Sequence, residues 1–120
     1  MKIYNIENGS LFNDLDCLYD KENNRIDVYS SVYWSAENEK EYLNKENIIN
    51  NFTYEDDLIK VNAWCDVSGF DYWVIKQEEL NYVSIDVYLK KNVKDYTQEE
   101  IKFISDKIVE FDNLFQSKLL

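Results

Sequence analysis

Three stretches of this chain alternate in character with a period of two, and that property limits the folds open to it. Between residues 26 and 34, Ile26, Val28, Ser30, Val32 and Trp34 interleave with Asp27, Tyr29, Ser31 and Tyr33. Between 58 and 67, Ile59, Val61, Ala63, Cys65 and Val67 interleave with Leu58, Lys60, Asn62, Trp64 and Asp66. Residues 82–90 set Val83, Ile85, Val87 and Leu89 against Tyr82, Ser84, Asp86 and Tyr88. Successive side chains of a strand point to opposite faces, so each stretch predicts a strand with one face for a core and one for something else. Such a sheet needs a cover on one side, and the C-terminus offers it. Thr97-Gln98-Glu99-Glu100 is a capping box, with Thr97 as N-cap and Glu100 reaching back. Ile101, Ile104, Ile108, Phe111 and Phe115 then recur at spacings of 3, 4, 3 and 4, one apolar stripe. Phe103, Val109 and Leu114 lie off the stripe; they either widen the buried face or reach a second surface. The expected fold is α+β: a mostly antiparallel meander of four or five strands with a long amphipathic helix on one face.

The rest of the chain is less sharply patterned. Residues 2–6 predict a short strand, closed by the Glu7-Asn8-Gly9-Ser10 turn. Ser10 is a candidate cap for a short helix carrying Leu11, Phe12, Leu15, Leu18 and Tyr19, followed by a polar loop over 20–25. A second helix is expected over 35–52, capped by Ser35, with Tyr42, Leu43, Ile48, Ile49 and Phe52 as a loose apolar stripe. After the Ser68-Gly69 turn, 72–77 is expected to return as a strand, and 78–81 to turn again. No repeat, linker or composition break divides the chain, so a single compact domain over 1–120 is expected.

Composition decides what chemistry is open. Among 120 residues there are 24 Asp and Glu against 13 Lys and Arg, a formal net charge of −11. A phosphate backbone would be repelled, so direct nucleic-acid binding is disfavoured. With no His, neither a Ser-His-Asp nor a Cys-His arrangement can be built. Two glycines, Gly9 and Gly69, cannot make a phosphate-cradling loop. Asp14, Asp16 and Asp20 resemble the start of a calcium loop, but Tyr19 replaces the obligatory Gly and Arg25 the closing acid. Cofactors and metals are therefore expected to be absent. Cys17 and Cys65 read as reduced core thiols. The polar N-terminus and the lack of any apolar run of about eighteen residues point to a cytoplasmic protein without membrane contact.

The informative feature is the face turned away from the core. If the aliphatic positions face the helix, then Asp27, Tyr29, Tyr33, Trp64, Asp66, Tyr82, Asp86 and Tyr88 face outward, with Tyr72 joining them if its strand keeps register. A solvated sheet does not need so many aromatics, and Tyr and Trp are the residues interface hot spots favour. With the acidic run Glu55-Asp56-Asp57, these are the candidate binding residues. Two bland alternatives stand beside this reading: aromatic cross-strand pairs stabilise sheets unaided, and the 36–51 helix covers this face. A small enzyme working with paired carboxylates or a divalent metal, and a self-assembling subunit using the face as a homodimer contact, are the alternatives of other classes.

Twelve Lys against one Arg, with abundant Asn, Ile and Tyr, reflect A/T-rich codons and suggest a low-GC bacterium or its phage. In size, acidity and this bias the chain resembles the small acidic inhibitors carried by phages and mobile elements, including anti-CRISPR proteins and other DNA mimics. It is similar in the same way to bacterial immunity proteins that neutralise toxin nucleases. The resemblance implies a non-enzymatic inhibitor, monomeric or homodimeric, whose partner is a basic bacterial protein, either a nucleic-acid enzyme or a toxin. It transfers no residue roles.

Overall fold

The computed structural model describes residues 5–7, 16–34, 36–65 and 79–119. The fold is α+β: a five-stranded antiparallel sheet with a long C-terminal helix. Its strands are β1 (Asp16–Asp20), β2 (Arg25–Trp34), β3 (Thr53–Glu55), β4 (Ile59–Cys65) and β5 (Glu79–Leu89), arranged in the order β1-β2-β5-β4-β3. Helix α1 (Glu39–Asn50) joins β2 to β3, and α2 (Gln98–Leu119) closes the chain.

Alternation becomes burial where it was expected. Ile26, Val28, Ile59, Val61, Val83, Ile85 and Val87 are fully buried, and Ile104, Ile108 and Phe115 of α2 join them in one core. Phe52 packs edge-on against the rings of Phe111 and Phe115, at 5.0 and 5.1 Å. Phe103, Val109 and Leu114 remain exposed and extend no core.

Local chemistry sets the element ends. Thr97 and Glu100 form the capping box, each side chain accepting from the other's backbone N–H at 3.1 and 3.0 Å. Buried Tyr96 fastens the start of α2 to the sheet. Its hydroxyl donates to the Leu58 carbonyl at 2.7 Å and accepts from the amides of Lys90 and Lys91. At the β1–β2 turn Asn24 takes a left-handed φ of 50°, which Asn tolerates better than most residues. Its side chain accepts from the Tyr19 hydroxyl and donates to the Lys91 carbonyl.

Several expectations are corrected. Residues 16–20 are not part of a helix but β1, paired with Arg25–Tyr29. The hairpin closed by Asn24 gives this segment a full hydrogen-bonding edge, which outweighs a few residues of helical spacing. Helix α1 starts later than expected, because Asn38 caps it by accepting from the Glu41 amide at 2.9 Å. The expected turn at 78–81 is strand from Glu79 onward, since β2 runs far enough to pair Val32–Trp34 with Glu79–Asn81. β3 was missed because three residues carry no readable period. The meander runs β3-β4-β5, with β4 paired directly to β5; the expected strand at 72–77 lies outside the described residues. The proposed strand at 2–6 and Ser35 as a cap lie outside the described residues or at their margin, where only Asn5–Glu7 is described, as loop and turn.

Candidate binding face

Both helices lie on one side of the sheet. Tyr42 and Ile49 of α1 are buried in the same core as the α2 stripe, and α1 packs on β4. Helix 36–51 therefore does not cover the other face. In register, that face consists of cross-strand rows. One reads Asp20, Arg25, Tyr88, Lys60 and Glu55; the next reads Leu18, Asp27, Asp86, Asn62 and Thr53; the third reads Asp16, Tyr29, Ser84 and Trp64.

Leu18, Tyr29 and Trp64 are 64%, 43% and 44% exposed, among the most exposed large side chains of the described residues. Ser84, between Tyr29 and Trp64 in its row, is small and buried, so the surface there belongs to the rings rather than to the strand. Trp64 is nevertheless anchored: its indole Nε1–H donates to Asp86 Oδ2 at 2.9 Å. Asp86 stands directly opposite Asp27. Like charges facing each other across a strand pair are unfavourable. Burial, with the Asp27 carboxylate alongside, raises the Asp86 pKa although the indole hydrogen bond opposes the rise. Arg25, the chain's only arginine, forks onto both oxygens of Asp27, with Nε at 2.5 Å and Nη2 at 3.2 Å. The same guanidinium lies 5.8 Å from the centre of the Tyr88 ring and reaches Asp20 at 3.2 Å. Among the described residues no Lys or Arg forms an ion pair with Asp86.

The structure thus brings together Asp27, Tyr29, Trp64, Asp86 and Tyr88. Tyr33 and Tyr82 occupy strand positions opposite Leu80 and Ser31. Asp66 and Tyr72 lie outside the described residues. Of the acidic run at 55–57, Glu55 ends the first of these rows at β3, and the run is partly structural. Asp56 accepts from the amides of Leu58 and Ile59 at 2.7 and 2.9 Å and from the Tyr54 hydroxyl at 2.7 Å. Burial pushes its carboxyl upward, but these three bonds outweigh that and hold its pKa below the ordinary value. The same hydrogen bond pushes Tyr54 up to about 12. Glu55 is paired with Lys90 at 2.8 Å, and only Asp57 of the three is exposed without a structural bond of this kind.

Arg25 and Leu18 were missed as members of the face. The signal for Arg25 was present: it continues the Asp27, Tyr29 alternation one step toward the N-terminus. Leu18 was hidden by the helical reading of its segment.

Among the described residues no group of three or more Cys, Asp or Glu is placed to hold a metal ion. Asp16 and Asp20 sit on strand β1, and Asp20 is occupied with Asn23 and Arg25. No described helix is long and apolar enough to cross a membrane. Comparison with protein-family models, with curated proteins and with solved structures finds no match.

Proposed function

We propose that the sheet face that neither described helix covers docks onto a basic surface of a bacterial protein that normally holds nucleic acid, and that occupying this surface inhibits the partner without catalysis. The observation that carries this reading is Trp64: a large exposed ring, fixed in place by Asp86, on a face that neither helix covers. Rigid aromatics with a polar anchor make strong contacts at small entropic cost. The net charge of −11 favours a basic partner and steers it in, while a second copy of the chain would be repelled. On this reading the site of action is the bacterial cytoplasm.

The test is capture from bacterial lysate on wild-type and Trp64→Ala baits, followed by identification and a nucleic-acid binding assay of what is retained. A basic nucleic-acid-binding protein should be held by the wild type, lost on the variant, and released by duplex DNA. Equal capture on both baits, or a partner that still binds its nucleic acid when saturated, would overturn the proposal. If the captured protein is a toxin nuclease, the same face is that of an immunity protein.

A further inference from the structure

The polar face contains one pairing of aromatic ring and carboxylate that is filled by a guanidinium, and a second that is not. In the first, Arg25 lies over Tyr88 and forks onto Asp27. In the second, Trp64 and Asp86 occupy adjacent rows in the same way, on β4 and β5, and no Lys or Arg of the described residues pairs with Asp86. We infer that an arginine side chain of the partner completes the second arrangement, stacking its guanidinium on the exposed Trp64 ring while donating to Asp86. This inference rests on the docking of a basic partner at this face and names the group that the face grips.

Charge bookkeeping across β2 and β5 supports it. Two carboxylates, Asp27 and Asp86, face each other and the one guanidinium nearby, Arg25, pairs with Asp27, so the centre of the face carries an uncompensated negative charge. Opposed like charges cost stability, and an incoming cation would relieve that cost only in the complex. The ring beside Asp86 selects among cations. A planar guanidinium stacks on indole and forks onto a carboxylate, whereas an ammonium offers a strongly hydrated point charge. The indole takes Oδ2 of Asp86 and the Asp27 carboxylate also hydrogen-bonds it, yet an ionised carboxylate offers about four acceptor sites, so a guanidinium can still be received. Tyr29, on the far side of Ser84, adds a second exposed ring along which the aliphatic stem of the arginine can lie.

The probe is a blocked tripeptide, acetyl-Gly-Arg-Gly-amide, titrated into the isotopically labelled protein while the indole N–H resonance of Trp64 is followed; Trp64→Phe assigns that resonance. The arginine peptide should shift it saturably, and acetyl-Gly-Lys-Gly-amide should bind at least about threefold more weakly. Asp86→Asn should weaken the arginine peptide by a similar factor, while Asp106→Asn, which removes the same charge from the exposed side of α2, should leave it unchanged. Equal response to both peptides, equal losses in the two Asn variants, or no shift at Trp64 would each overturn the inference. If the peptide fails while Trp64→Ala still releases a captured basic protein, the guanidinium contact is wrong and the docking face stands. If both fail, both readings fall.

Discussion

Asp86 and Asp56 are two aspartates with opposite electrostatic fates, and each makes a prediction. The Asp86 carboxyl has its pKa raised by burial and by the Asp27 carboxylate. A raised carboxyl pKa means that the folded chain holds its proton more tightly than the unfolded chain does. The ionised form therefore penalises the fold above the folded pKa, and the penalty disappears as pH falls below the ordinary carboxylate value. Asp86→Asn keeps an oxygen for the Trp64 indole, so it should raise the melting temperature at neutral pH. The gain should be no more than about 1 kcal/mol, because the group is partly exposed and screened. Melts from neutral pH into the acid range should show the advantage vanishing; an advantage independent of pH would mean that ionisation is not its cause. Asp56 runs the other way. Its pKa is lowered, so its contribution is present above the ordinary carboxylate value and is lost as pH falls through the folded one. Asp56→Ala leaves the Leu58 and Ile59 amides and the Tyr54 hydroxyl without their acceptor. Denaturant unfolding should show a loss of about 2 kcal/mol, in the range for hydrogen bonds to a charged group.

At the scale of the element, β4 and β5 each carry one side chain that separates binding from folding. Trp64 stands on the open face, whereas Ile85 is fully buried under the helices. Ile85→Ala should cost about 2–5 kcal/mol of stability, as truncations in a close-packed core do. Trp64→Ala should change stability by less than about 1 kcal/mol, and should weaken binding to a captured partner by about 2 kcal/mol or more, the hot-spot range. Thermal denaturation and calorimetry on the two variants read these separately. Equal stability losses with unchanged affinity per folded molecule would make Trp64 a structural side chain. Strand β2 joins the two functions: alternate residues put Ile26 and Val28 in the core and Asp27 and Tyr29 on the open face.

For the molecule as a whole, the acidic surface should act mainly on the rate of encounter. Asp57 is exposed and away from the sheet face, unlike Glu55, whose carboxylate is tied to Lys90, and Asp56, which closes a turn. Asp57→Lys should thus slow association with a basic partner and reduce its salt dependence, with dissociation nearly unchanged, since rim charges steer more than they hold. Surface-plasmon measurements at low and high salt test this. An association rate insensitive to salt in the wild type would show that steering plays no part.

How much of this was legible beforehand follows from the range of the forces involved. The strand faces, the capping box and the α2 stripe are local: they depend on the strand period of two, on a hydroxyl and a carboxylate three residues apart, and on helical spacing. Amphipathicity alone therefore predicted that Asp27, Tyr29, Trp64, Asp86 and Tyr88 share one polar face. What it did not carry was pairing. Segment 16–20 became a strand because β2 offered it an edge, and Glu79–Asn81 became strand because β2 extends opposite it. Whether α1 covered the aromatic face or the aliphatic one depended on packing between distant segments, which no local pattern encodes. The same holds for the site. Opposing Asp27 to Asp86, placing the Trp64 indole against Asp86 and setting the Arg25 guanidinium over the Tyr88 ring all require a particular register among β2, β5 and β4. Register is set by the whole sheet at once, because a slip of one residue would turn every side chain of a strand to the other face.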